Sequence, residues 1–168
     1  MGENLEQLYD SHAQALFAFL LNLTRNEADT RDLLQEVFCK IARRSGLLDG
    51  ARDTRAFLLA TAHNLALDLI RRRAARERKH DALAEASPAM FELASDLDEQ
   101  HYREALATAL AGLPEEQRAV VHLKLWEGLT FEAIAGTLGI PPNTAASRYR
   151  YGIDKLRDLL RPIYGEPR

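Results

Sequence analysis

The segment Gly139-Ile140-Pro141-Pro142-Asn143 cuts an otherwise helix-forming stretch in two, and it limits what Leu113 to Leu160 can become. Before it, Thr130 heads the run Phe131-Glu132-Ala133-Ile134-Ala135-Gly136-Thr137-Leu138. Its apolar Phe131, Ile134, Ala135 and Leu138 fall at i, i+3, i+4 and i+7 and so share one helix face. Gly139 supplies a left-handed terminating residue, with Ile140 as the contact that folds back on it. The two prolines forbid continuation, and Asn143 is expected to cap the next helix. That helix opens Thr144-Ala145-Ala146-Ser147-Arg148-Tyr149-Arg150-Tyr151, which is short-chained, polar and basic. Two helices joined by a tight glycine turn, the second bearing Arg and hydroxyls, form the pattern of a helix-turn-helix. A corner inside an all-α core would use the same punctuation. Ala145, Ala146 and Ser147 favour DNA, because a helix in the major groove must bring its backbone close.

The rest of the chain reads as helix after helix. Leu5, Leu8, Tyr9, His12, Leu16, Phe19, Leu20 and Leu23 mark one apolar face from about Asn4 to Thr24. Asn26 looks like the next cap, with Asp29 in the first turn where negative charge is favoured. That helix runs to about Arg44 and is expected to bury Leu33, Val37, Phe38 and Ile41. Ser45–Asp53, with two glycines in nine residues, reads as a loop. Asp53 or Thr54 then starts a long helix that ends in the basic run Arg71 to Lys79. From His80 to Asp96 periodicity fades, acids gather and Ser87-Pro88 interrupts, which predicts a linker. A helix resumes near Leu97 and stops at Gly112. Another has Pro114 at its first position and runs to Trp126. The expectation is all-α: two small helical domains, 1–79 and 97–168, on an acidic linker, 80–96, the second domain holding the helix-turn-helix.

Net charge of −3 hides a pattern. Residues 1–80 carry 13 Lys/Arg against 11 Asp/Glu, residues 81–104 carry 1 against 7, and residues 105–168 carry 8 against 7. Acid collects in the middle, so the overall sum does not argue against a nucleic-acid partner at either end. Cys39 is the only cysteine, which excludes an internal disulfide and fits a reducing cytosol. With Met1-Gly2-Glu3-Asn4 at the start no secretion signal is expected, and the longest apolar run, Ala15 to Leu21, is too short to span a bilayer. A cytoplasmic protein is expected. With the chain stopping soon after Pro162, no appended sensor domain is expected.

Two polar clusters interrupt the apolar pattern. Asp32, Gln35 and Glu36 fall at i, i+3 and i+4, opposite the Leu33 and Phe38 stripe. They form either a solvated face or a docking surface for a basic partner. Thr61, Asn64 and Asp68 recur at i, i+3 and i+7, beside His63, on a helix otherwise rich in Ala and Leu. Asn and Asp are weak helix formers, so a buried polar network or the reading of a base edge is the reason to seek. The Arg71–Lys79 cluster continues this helix and suits phosphate contact as well as plain solvation. For catalysis there is little. His12, His63, His80, His101 and His122 make no metal-ligand spacing, and the chain has no glycine-rich phosphate loop and no nucleophile elbow. No cofactor, metal or small-molecule substrate is expected, and Trp126 and Tyr102 are expected in the core.

Taken together, the chain resembles the extracytoplasmic-function (ECF) sigma factors, small two-domain bacterial initiation factors, over nearly its whole length. Asp32-Leu33-Leu34-Gln35-Glu36-Val37-Phe38 is similar to the family's polymerase-binding helix, D-x-x-Q-E-x-F. Phe57 to Asp68 resembles W-L-x-x-I-A-x-N-x-x-x-D, the stretch that engages the minus-ten element. Leu113-Pro114-Glu115-Glu116-Gln117-Arg118 and Gly128 to Ala135 look like L-P-x-x-x-R and G-x-S-x-x-E-I-A of the minus-thirty-five domain. The resemblance implies a non-enzymatic subunit that binds core RNA polymerase, directs it to promoters and helps open the DNA. It implies that Asp32, Gln35 and Glu36 meet the clamp helices of the largest polymerase subunit. It also implies that Ser45–Asp53 pockets a flipped base beside Asn64, and that Arg71, Arg72 and Arg73 hold phosphates. A flipped base is read on its exposed edges and needs such a pocket. An anti-sigma factor is a further implied partner.

The departures from the family pattern lie in the second helix of the helix-turn-helix. Thr144, Ser147 and Arg148 match T-V-x-S-R, but Ala146, Tyr151 and Ile153 stand where basic residues are common. Asn143, Thr144, Ser147, Arg148, Arg150 and Tyr151 are the candidate DNA contacts, and an unusual minus-thirty-five sequence is expected. Phe57 replaces Trp, and Ala133 replaces the Glu of a capping box. The rival reading is a stand-alone helix-turn-helix repressor, which would need a dimer and a palindromic operator. Such a repressor has no use for the Asp32–Glu36 patch.

Overall fold

A computed structural model of the chain describes residues 4–44, 46, 48, 53–77 and 97–164. Every regular element among them is an α-helix: α1 Leu5–Thr24, α2 Glu27–Arg43, α3 Thr54–Glu77, α4 Leu97–Ala111, α5 Glu115–Leu125, α6 Phe131–Leu138 and α7 Pro142–Tyr164. The chain divides into two compact units, Met1–Ala86 and Ser87–Arg168. The expected linker at 80–96, together with Arg78 and Lys79, lies outside the described residues.

In the first unit α1, α2 and α3 pack on one another. Asn4 caps α1 with a full capping box: its side chain accepts from the Gln7 N–H at 2.8 Å, and the Gln7 side chain accepts from the Asn4 N–H at 3.1 Å. Arg25 ends α1 in the left-handed region, φ 59°, and donates its backbone N–H to Leu21 at 2.9 Å. Asn26 then caps α2 at once, accepting from Asp29 N–H at 3.0 Å. Thr24 and Thr30 close this corner through a 2.8 Å contact between their hydroxyls. Leu16, Phe19, Leu20, Val37, Leu58, Leu59, Ala62 and Ala66 form the interior. Leu5 and Tyr9 do not join it, being 42% and 50% exposed. They keep the period of α1 but line the open groove beside α2, while Leu8 between them is buried.

In the second unit α7 packs against α4, α5 and α6. The core joins Leu110, Leu113, Val121 and Leu156, with Leu106, Tyr149, Ile153 and Leu160 packed around them. The expected glycine turn forms: Thr130 accepts from Ala133 N–H at 3.1 Å, Gly139 sits at φ 69°, and Ile140 folds back through its backbone, its N–H reaching the Ala135 carbonyl at 3.1 Å. Two boundaries shift by one residue. Pro114 is the residue before α5 rather than its first, and α7 begins at Pro142, so Asn143 lies in the first turn and is not the cap. Proline has no N–H to lose at a first helical position and its φ is already helical, so Pro142 takes that place.

Two aromatic residues expected inside are at the surface: Tyr102 is 50% exposed and Trp126 is 38% exposed. Trp126 terminates α5 with its ring stacked on buried His122, centroids 5.4 Å apart. Helical period places it on the inner stripe, but the chain turns away there.

Candidate nucleic-acid interface

On α2, Asp32, Gln35 and Glu36 are all exposed, while Leu33, Val37, Phe38 and Ile41 on the opposite face are buried. The sequence divides the helix cleanly because the two sets alternate at helical period. Beside Gln35 runs a groove of about 380 Å³ between α1 and α2, walled by Leu5, Tyr9, Leu34 and Phe38. The acidic face is therefore bordered by apolar surface.

On α3, Asn64 and Asp68 are exposed, so they are not parts of a buried network. Thr61 turns its hydroxyl to the Phe57 carbonyl at 2.9 Å, and His63 is buried with its ring stacked near Phe19 at 6.4 Å. Arg71 and Arg72 stand exposed farther along the same helix. Arg73 behaves differently: it forms an ion pair with Asp29 of α2, whose side chain is only 16% exposed. Its charge is thus shared within the unit. The loop Ser45–Asp53 lies largely outside the described residues.

A second groove, of about 360 Å³, opens between the end of α2 and the start of α3, and Lys40, Arg43, Arg44, Phe57 and Thr61 line it. Sequence reasoning missed its three cations, because Lys and Arg in a last turn ordinarily serve the helix's own carbonyl end. Their recurrence at Lys40, Arg43 and Arg44, facing an aromatic residue across a loop, was the signal available. An aromatic face with cations around it is how proteins commonly hold single-stranded nucleic acid.

On α7 the two faces have different tasks. Ala145 is fully buried, Gly152 is buried, and Leu156 is 6% exposed. Ala145 is therefore small to fit the core and not to let DNA approach, a correction to the expectation. Gly152 has the same cause: a Cβ there would lie 2.7 Å from Val121 Cγ2 of α5. Outward stand Asn143, Arg150 and Tyr151, exposed, with Thr144, Ser147 and Arg148 half-buried between them. All six expected contacts keep some access to solvent. Arg150 lies over the Tyr151 ring at 5.7 Å, and Arg148 Nη2 is 3.8 Å from Glu116 Oε2 on α5. Tyr149 meets Phe131 of α6 edge-on at 5.6 Å, which ties the two helices of the turn together.

The spacing of L-P-x-x-x-R also acquires a cause. Arg118 is buried and its guanidinium donates to the Leu113 carbonyl at 3.1 Å, closing the turn that leads into α5. Among the described residues no cluster of His, Cys, Asp and Glu could hold a metal ion, and no helix is long and apolar enough to cross a membrane.

Residues 8–76 match the family model of sigma-70 region 2, and residues 103–156 match that of sigma-70 region 4. The chain is 32% identical over 161 residues to the ECF RNA polymerase sigma factor SigL of Mycobacterium tuberculosis, covering 95% of this chain and 90% of that one. It is 35% identical over 159 residues to the RNA polymerase sigma factor CarQ of Myxococcus xanthus, covering 92% and 88%. Its fold is similar to that of the sigma factor RpoE from Bartonella quintana, solved in complex with the anti-sigma factor NepR. That likeness has a TM-score of 0.76 at 23% identity, over 93% of this chain and 96% of the other. With both sigma-70 regions in order and relatives matched along nearly their whole length, the chain belongs to the ECF family of RNA polymerase sigma factors.

Proposed function

We propose that this sigma factor, a promoter-specificity subunit of RNA polymerase, docks on the polymerase through Asp32, Gln35 and Glu36 and holds its promoter at two separate places. The single observation that carries the docking is the division of α2: three polar residues face solvent over a buried apolar stripe. A helix needs no acidic ridge for its own stability, and such a ridge suits the basic side of a partner helix pair, the clamp helices of the largest subunit. The neighbouring groove between α1 and α2 adds apolar contact to the same surface.

The minus-ten strand runs across α3, with Asn64 beside a flipped base and Arg71 and Arg72 on the phosphates. Arg73 contributes more to holding α2 and α3 together through Asp29 than to the DNA. The groove of Phe57, Lys40, Arg43 and Arg44 continues this path. The minus-thirty-five element meets Asn143, Thr144, Ser147, Arg148, Arg150 and Tyr151 on α7, whose N-terminal end also favours phosphate. Joining two modest grips on one chain raises the effective concentration of each at the promoter. The protein acts in the cytoplasm as a regulatory subunit without catalysis of its own, and an anti-sigma factor is its natural restraint.

Run-off transcription with purified core polymerase over a genomic promoter library tests this reading. Promoter-dependent products are expected with the unsubstituted protein, and Glu36→Arg abolishes both those products and capture of the polymerase. No product on any template would end the proposal. A dimer that binds a palindrome without polymerase would favour a repressor, which the presence of both sigma regions argues against.

A further inference from the structure

Glu116 lies in the first turn of α5 with its side chain 67% exposed, and its carboxylate is 3.8 Å from the guanidinium of Arg148 on α7. Arg148 is the more enclosed partner, with its side chain 30% exposed. At this separation the two form an ion pair without a hydrogen bond, so the donors of the guanidinium stay available for another acceptor. The neighbouring cation, Arg150, is drawn over the Tyr151 ring. Arg148 and Arg150, the two arginines among the candidate DNA contacts, therefore have intramolecular partners before DNA arrives, and of those two partners Glu116 is the one that offsets charge.

We propose that Glu116 is a specificity-determining residue of this surface: it cancels the charge of Arg148 and fixes its direction, which lowers affinity for DNA of any sequence. The inference rests on the reading of α7 as the helix that meets the minus-thirty-five element. A phosphate is offered everywhere along a duplex, and an unrestrained arginine captures one wherever it lands. A guanidinium held beside a carboxylate gains less from a lone phosphate, because net charge at that point is near zero. It keeps its planar donor fork, and so still gains where the right sequence presents an acceptor in line with it. Glu116 is thus a positioning residue that acts through Arg148.

The test uses holoenzyme assembled from core polymerase and the full chain. Binding is measured to a duplex of a promoter it transcribes, and to the same duplex with the minus-thirty-five element scrambled, between about 50 and 200 mM salt. Glu116→Gln is expected to strengthen binding to the scrambled duplex about 3-fold at the low-salt end and to steepen its salt slope by about 0.9, one further phosphate neutralised. Binding to the intact promoter rises less, so discrimination falls. Glu116→Asp, which keeps the charge, restores discrimination, and Glu116→Gln has no effect where Arg148→Ala is already present. An equal rise on both duplexes, the same effect without Arg148, or no change with Glu116→Gln would each overturn the proposal. Failure of the unsubstituted holoenzyme to transcribe from any promoter would instead overturn the functional reading beneath it.

Discussion

Arg118 donates its guanidinium to the carbonyl of Leu113, five residues back and 3.1 Å away, from a position almost closed to water. A cation of this size is accepted there because its charge is spread and its Nη2 donates to backbone oxygen. Arg118→Met keeps much of the volume and loses the bond. We expect it to destabilise the second unit by about 1.5–3 kcal/mol, read by urea unfolding. Unchanged stability would mean the turn between α4 and α5 holds without it.

Gly152→Ala sets two effects against each other. Alanine gains about 1 kcal/mol in helix propensity, yet its Cβ would lie 2.7 Å from Val121 Cγ2 and 3.5 Å from Gln117 Cβ. Val121 is fully buried and has nowhere to move, so overpacking of about 1–3 kcal/mol prevails. A net loss of up to about 2 kcal/mol is expected in the same assay. A stabilised variant would show the approach of α5 and α7 to be slack.

Burial holds His122 neutral and lowers its pKa from 6.5 to about 4. Above pH 6.5 the ring is neutral whether the chain is folded or not, and it adds no pH dependence. Between 6.5 and about 4 the unfolded chain takes up a proton that the folded one refuses, so stability falls as pH drops. The slope is about 1.4 kcal/mol per pH unit, approaching about 3 kcal/mol in all. Trp126, the only tryptophan, stacks on His122 and reports unfolding by its fluorescence. His122→Gln should remove this component of the acid sensitivity, leaving that of the carboxylates. A parallel pH profile in the variant would place the proton elsewhere.

Arg148→Ala should weaken promoter binding and flatten its dependence on salt. The variant loses the cation that Glu116 restrains. The slope of log affinity against log salt should fall by about one. An unchanged slope would put Arg148 away from the backbone.

Much of the fold was legible because its punctuation is local. Asn4, Asn26, Thr130 and Gly139 mark helix ends through bonds to residues three or four positions away, and each does what its chemistry suggests. Periodicity also separated the faces of α2 correctly. What it does not encode is the partner. Ala145 and Gly152 are small because α5 and α6 lie against α7, a cause that resides in other helices. Arg73 belongs to a basic run on paper but turns to Asp29, forty-four positions earlier. Trp126 and Tyr102 keep the apolar period at places where no neighbouring helix covers them. The cationic groove by Phe57 was hidden for the same reason, since it exists only once two helix ends are side by side.

One continuous helix, α7, wedges Ala145 and Gly152 into the interior while Ser147 and Tyr151 look outward. On the proposed reading, the outer row would meet a duplex from one unbroken helix, without a hinge of its own. Its aim is set from behind. Changes to the size of inner residues would tilt the whole row together, so promoter preference could drift in descendants of this chain whose outward-facing letters never change.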